Sequence, residues 1–221
     1  MSSKVKNAEK KELELRQQRA ETRKAELELQ TQEQRTKRYT REHKHDYKYD
    51  PEARGVFHLI GAVDSTSTAY WADRIQRYAH LHPGKPLTIY LQTPGGSVLH
   101  GLGFYDTLRT ISSQGHHITT VVRGFAASMG AVLLQAGDTR LVGTESMVML
   151  HEVSSGTGGK LHEMKDDVKF TEQLNRRLMS IIANRTGGKW DADALYERIE
   201  AKDWWLSSDE SVDQGIADGV G

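Results

Sequence analysis

Four short apolar runs, 56–60, 87–91, 118–122 and 147–150, alternate with amphipathic stretches long enough for helices. This alternation confines the chain after Arg54 to a layered α/β domain, because each run must be covered by a packed helix. Residues 65–82 read as a helix with Trp71, Ile75, Tyr78 and Ala79 at spacings near three and four, stopped by Pro83-Gly84. A second helix follows Thr93-Pro94-Gly95-Gly96 and carries Leu99, Leu102, Leu108 and Ile111 on one face. The long stretch 160–185 has Leu161, Met164, Val168, Leu174, Leu178 and Ile181 as its apolar positions and ends at Thr186-Gly187-Gly188. A shorter helix over 191–200 and a closing segment, Asp203-Trp204-Trp205-Leu206, complete the domain. Trp204 and Trp205 are adjacent, so in a strand they face opposite sides. No internal sequence repeat accompanies this recurrence of strand and helix.

Residues 1–50 have a different texture. They carry fourteen Lys/Arg against ten Asp/Glu, with Leu13, Leu15, Leu27 and Leu29 among their few large aliphatics. Such a stretch cannot build a core, and it reads as a charged N-terminal extension, helical or disordered, ahead of a single domain over 51–221. A domain of about 170 residues buries a sizeable core without staples. The charge imbalance between the two parts is too mild to indicate a nucleic-acid partner. There is no cysteine, hence no disulfide framework or thiolate metal site. Neither an apolar signal region nor a run approaching the roughly 18 residues of a membrane span is present. A soluble, cytoplasmic protein with no membrane partner is the expectation.

One serine stands among small and apolar residues in the stretch 124–133, between the run 118–122 and a helix-like run. There Ser128 is placed to act as a nucleophile, with the amides at the helix start available to negative charge. Nucleophilic acyl transfer further needs an imidazole to take the proton and a carboxylate to orient it. His151 follows the run 147–150, and Asp203 precedes Trp204. The pair Gly95-Gly96 offers backbone that can approach a ligand closely. Each residue also has a plainer reading: Ser128 as a helix cap, His151 as an ordinary hydrogen-bonded histidine, Asp203 as a turn residue or a partner of Arg198 or Lys202. The glycine-rich stretch 156–161 fails as a phosphate loop, because Ser154 falls on its first glycine position and Leu161 on its Ser/Thr position. The histidine pairs at 43/45, 80/82 and 116/117 lack zinc-site spacing, and His162-Glu163 lacks the second histidine of a zinc helix. No metal and no cofactor are expected.

The ordered set Tyr90-Leu91-Gln92-Thr93-Pro94-Gly95-Gly96-Ser97, Tyr105-Asp106-Thr107-Leu108, residues 124–131 around Ser128, Met149-Leu150-His151 and Lys202-Asp203-Trp204-Trp205-Leu206-Ser207, with Glu210 and Gly215 beyond, resembles the ClpP family of self-compartmentalising serine peptidases. The resemblance covers about residues 54–220. It implies a ClpP/crotonase-like α/β fold, a repeated β-β-α spiral with a long handle helix over 160–185. It also implies Ser128 as nucleophile, His151 as general base and then acid, Asp203 as orienting carboxylate, and the amides of Gly96 and Met129 as the oxyanion hole. Substrates would be polypeptides, bound as an added strand beside the segments after Gly96 and before His151. The subunits would form a homo-oligomeric ring, a heptamer or a double ring, with an AAA+ unfoldase as a partner that the resemblance leaves open. The chain order Ser, His, Asp separates this pattern from the α/β-hydrolases.

Three departures accompany the resemblance. Glu152-Val153-Ser154-Ser155 stands where the family has Gln-Pro or a close variant after the histidine. The stretch 186–203 looks longer than the family's, which leaves Glu200 and Asp209 as rivals to Asp203. The long charged extension stands where the family has a short pore-lining segment, which leaves the usual unfoldase contact open. Alternative functions are a non-hydrolytic ring or scaffold paralogue and a phage-type peptidase processing one assembly protein. An acyl-CoA enzyme of the crotonase type does not require the Ser/His/Asp set.

Overall fold

In the computed structural model, which describes residues 16–24, 26, 27, 30, 31, 34 and 50–221, the apolar runs become strands. The chain divides into two units, residues 1–50 and 51–221. The described residues 16–24 are helical, and the expectation for the rest of 1–49 lies largely outside the described residues.

In the second unit the strands are β1 (Val56–Ile60), β2 (Leu87–Thr93), β3 (Ile118–Ala127), β4 (Thr139–Val142), β5 (Met147–Leu150), β6 (Trp204–Leu206) and β7 (Gly219–Val220). Among the described residues they make one sheet in the order β1-β2-β3-β4-β7, with β5 joined to β3 and β6 joined to β5. Every pairing is parallel except β5 with β6. Parallel neighbours need crossovers, and helices provide them: α1 (Ser65–Leu81), α2 (Val98–Ser113), α3 (Met129–Leu134), α4 (Leu161–Ala183), α5 (Ala192–Ile199) and α6 (Ser208–Asp213). None of the described helices is long and apolar enough to cross a membrane.

Alternation in β1 and β2 turns Phe57, Leu59, Leu87, Ile89 and Leu91 to the core. Helix α1 starts at Asp64, whose carboxylate accepts from the N–H groups of Thr66 at 2.9 Å and Ser67 at 2.8 Å. It then buries Thr68, Trp71, Ile75 and Ala79 along one stripe.

Strand β3 is twice as long as the apolar run that announces it, and it serves two partners. Residues Thr119, Thr120, Val121 and Val122 pair with β4, whereas Phe125, Ala126 and Ala127 pair with β5. Between them Gly124 takes φ 75°, and its N–H donates to Ser146 Oγ at 2.9 Å. That glycine lets one strand leave its first neighbour and join a second.

One helix face differs from expectation, and another is divided along its length. Leu99 is 59% exposed, and α2 instead buries Gly101, Phe104, Leu108 and Ile111. Leu99 lies off the i, i+4, i+7 stripe that Phe104, Leu108 and Ile111 define. In α4 the first half stands clear of the core, with Leu161, Met164 and Val168 exposed, and only the second half packs through Asn175, Leu178, Met179, Ile182 and Ala183.

Candidate active site

Strand β3 runs directly into the candidate nucleophile. Ser128 follows Ala127 at φ 55°, ψ −122°, and α3 begins at the next residue. A left-handed φ on a residue with a Cβ costs on the order of 1–3 kcal/mol and survives only where neighbours over-determine it. Here Ala127 is in register with Met149, and the Ser128 N–H donates to the Met149 carbonyl at 2.8 Å. The hydroxyl makes no capping bond to α3, so the helix-cap reading of Ser128 does not hold. All six residues of α3 are buried, which gives the serine an apolar floor.

The loop after β2 is pressed against this turn. A Cβ on Gly95, at φ +86°, would stand 2.6 Å from the Ala127 carbonyl oxygen, 2.7 Å from Ser128 Cβ and 2.8 Å from the Met129 nitrogen. Only glycine allows so close an approach. The Gly95 N–H donates to Thr93 Oγ1 at 3.0 Å, and the Gly95 carbonyl accepts from the Val63 N–H at 2.8 Å. The Ser97 N–H donates to the Val63 carbonyl at 2.7 Å. Among the described residues, the N–H groups of Gly96 and Met129 have no acceptor. Two unspent donors beside one serine hydroxyl can stabilise an oxygen on which negative charge develops.

The imidazole and the carboxylate arrive by strand register. In the antiparallel pair β5–β6, Val148 faces Leu206, Met149 faces Trp205 and Leu150 faces Trp204. One further step sets His151 opposite Asp203, and Asp203 Oδ1 lies 3.7 Å from His151 Nδ1. That separation is within ion-pair range and wider than the roughly 3 Å of a formed hydrogen bond. Catalytic hydrogen bonds commonly tighten only when the reacting group is in place. The same register carries Glu200 beyond the ladder, exposed at the C-cap of α5, and puts Asp209 in the first turn of α6. Neither rival stands opposite His151.

Ser128, His151 and Gly96 line one cavity of about 240 Å³, walled on its apolar side by Val132, Leu178, Met179 and Ile182. The five expected site residues thus come from the β2–α2 loop, the β3–α3 turn, the end of β5 and the start of β6. Glu152, next to the histidine, turns toward the loop that carries Asp203, where its Oε1 accepts from the Ala201 N–H at 3.4 Å. Burial raises the Tyr196 pKa, and the Glu152 charge adds to the rise. The Val153 N–H donates to Asn175 Oδ1 at 2.7 Å.

One expectation about substrate needs correcting. A peptide cannot add as a strand beside the segment before His151, because β5 has β3 on one edge and β6 on the other. Helix α2 begins two residues after Gly96, so little extended backbone remains there either. The irregular stretch 151–155 after the histidine is not part of the sheet. Thr93, Val63 and Met149 were not singled out as bracing the site, since two of the three act through their backbone and carry no residue-type signal. Asn175 did leave a sign, a lone amide on the apolar face of α4.

Residues 37–221 match the family model for Clp protease, a span that begins inside the charged stretch outside the resemblance noted above. The chain is 33% identical to "ATP-dependent Clp protease proteolytic subunit 3" of Rhodococcus jostii, over 73% of its own length and 78% of that protein's. It is 36% identical to "ATP-dependent Clp protease proteolytic subunit" of Bacteroides fragilis, over 62% of this chain and 65% of that one. It is also 36% identical to "ATP-dependent Clp protease proteolytic subunit 1" of Salinibacter ruber, over 62% of this chain and 57% of that one. The chain therefore spans less than two thirds of the latter two. With every strand and helix of the 51–221 unit inside the matched span, the chain belongs to the Clp protease family.

Proposed function

We propose that the protein is a ClpP-like serine endopeptidase that hydrolyses peptide bonds of unfolded polypeptides through an ester on Ser128. The supporting observation is the β5–β6 register, which sets Asp203 opposite His151, itself a lining residue of the cavity that Ser128 lines. His151 takes the hydroxyl proton as Ser128 Oγ bonds to the scissile carbonyl carbon, and Asp203 orients the imidazole and stabilises its cation. The carbonyl π electrons move onto oxygen, where the N–H groups of Gly96 and Met129 donate to it. Collapse breaks the C–N bond, and the proton held by His151 passes to the departing amine. Water then attacks the ester with His151 again as base, which frees the acid and restores the serine.

The apolar wall of the cavity suits an apolar side chain next to the scissile bond, and cleavage should favour such sites over charged ones. Subunits assemble into a ring, heptameric or doubled, and the exposed apolar positions of α4 supply part of the contact. The names of the relatives favour an ATP-driven unfoldase of the AAA+ class as partner. A cytoplasmic location fits the cysteine-free chain.

The test is labelling of the full chain with a fluorophosphonate, read by intact mass, alongside turnover of an unstructured peptide. One adduct is expected on the wild type and none on Ser128→Ala, which should also lose turnover. Asp203→Asn should lower kcat by about 100-fold or more, whereas Glu200→Gln should stay near wild type. Full turnover in Ser128→Ala would overturn the proposal. A wild type inert to both probe and peptide would favour a non-hydrolytic paralogue instead.

A further inference from the structure

The buried face of α4 is apolar at Leu178, Met179, Ile182 and Ala183, yet one turn earlier it carries Asn175, which is only 5% exposed. A buried amide on such a face is costly unless it is bonded. Its Oδ1 accepts from the Val153 N–H at 2.7 Å, which ties down the segment that follows His151. That segment has no ladder of its own, because the β5–β6 pairing ends at Leu150 and Trp204. Among the described residues, the N–H groups of Glu152 and Ser154 make no hydrogen bond. The Val153 donor is consumed by Asn175, and those of Glu152 and Ser154 are left unspent on either side of it. Glu152, Val153 and Ser154 also line the cavity that holds Ser128.

We propose that Asn175 is a positioning residue for substrate: by holding the Val153 N–H it keeps 152–154 as an open backbone edge along which the peptide is hydrogen-bonded. This rests on the serine-peptidase reading above. The role concerns the edge more than the base, since His151 is anchored independently through the β5 pairings on both sides. Among the described residues Asn175 makes no hydrogen bond to Ser128 or His151, and it acts through Val153.

The test separates the two readouts that the roles imply. Fluorophosphonate labelling of Ser128 needs the triad and the oxyanion donors but no peptide edge. Turnover of a peptide long enough to lie along 152–154 needs both. Asn175→Leu, which keeps the volume and removes the acceptor, should raise KM for the long peptide about tenfold, the scale of a segment that must be ordered during binding. Its labelling rate should stay within about twofold of wild type. Asn175→Asp, which keeps an acceptor, should restore most of the KM. Should the leucine variant fail to fold, Asn175→Ser is too short to reach Val153 and serves in its place. Amide exchange of the 151–155 stretch should show a protected Val153 N–H in the wild type and a free one in the serine variant. Wild-type KM in the acceptor-free variants, parallel loss of labelling and turnover, failure of the aspartate to rescue, or an unprotected Val153 amide in the wild type would each overturn the role. Persistent turnover in Ser128→Ala would strike the peptidase reading itself, and the labelling arm distinguishes that case.

Discussion

Ser128 carries its hydroxyl on a backbone conformation that most side chains avoid, and Gly95 makes that position usable by passing within contact distance of it. Substituting Gly95→Ala would drive a methyl group against the Ala127 carbonyl and the Met129 nitrogen while straining a left-handed φ. The loop must then move away with its Gly96 donor, so kcat for peptide hydrolysis should fall about 100-fold, the cost of one lost oxyanion donor. A steady-state assay with a thermal scan checks it, and the melting temperature should drop by much less than unfolding would need. Asp138 governs a separate property. Its carboxylate accepts from Arg109 Nη1 at 2.8 Å, Ser112 Oγ at 2.8 Å and the Ile118 N–H at 2.9 Å, which joins the end of α2 to the start of β3. Burial alone would raise its pKa, but the bonds from Ile118, Arg109 and Ser112 outweigh it and hold the carboxyl below its ordinary value. A carboxyl depressed in the folded state stabilises it above the unfolded pKa of about 3.9, and the gain is lost as pH falls through the folded value. Asp138→Asn should thus cost about 2 kcal/mol in urea unfolding at neutral pH and flatten the stability loss below about pH 4.

Elements, rather than single residues, decide which carboxylate stands opposite His151. Sequence spacing leaves Asp203, Glu200 and Asp209 open because a triad acid has no local signature, and only the pairing of β6 against β5 separates them. The strands 56–60 and 147–150 were readable to the residue because they are apolar and bounded by breakers. The second half of β3 was not, since Arg123-Gly124 looks like an end and is a change of partner. Strands β4 and β7 were missed for a different reason. Of the two buried residues of β4, Arg140 and Val142, the first is a polar side chain where periodicity looks for an apolar one. Its side chain is 5% exposed, and it donates through Nη1 to Gln135 Oε1 at 2.7 Å and to the carbonyls of Gly215 at 3.1 Å and Ile216 at 3.2 Å. It also pairs with Asp218, so one guanidinium fastens the chain leading into β7. Removing the guanidinium leaves the Gln135, Gly215 and Ile216 oxygens without their donor, and Arg140→Ala should lower stability by about 2–3 kcal/mol in urea unfolding.

At the scale of the whole molecule, the first half of α4 is the feature a lone subunit does not explain. Leu161, Met164 and Val168 are exposed along one side of a helix whose other half is packed. Such a stripe is suited to burial between subunits. Val168→Glu should therefore reduce the native mass of the assembly and, with it, peptide turnover, while leaving the melting of the isolated subunit close to wild type. The ring geometry around Asp203 has a use beyond chemistry. Trp204, the residue after Asp203, lies 5.4 Å edge-on from Trp190 and 4.8 Å under the Arg198 guanidinium. Two indoles so close exchange excitation, and a cation above one of them shifts its emission. The near-ultraviolet dichroism and fluorescence of the unlabelled protein should thus carry a native optical signal from β6, so that its loosening or docking can be timed without attaching a dye.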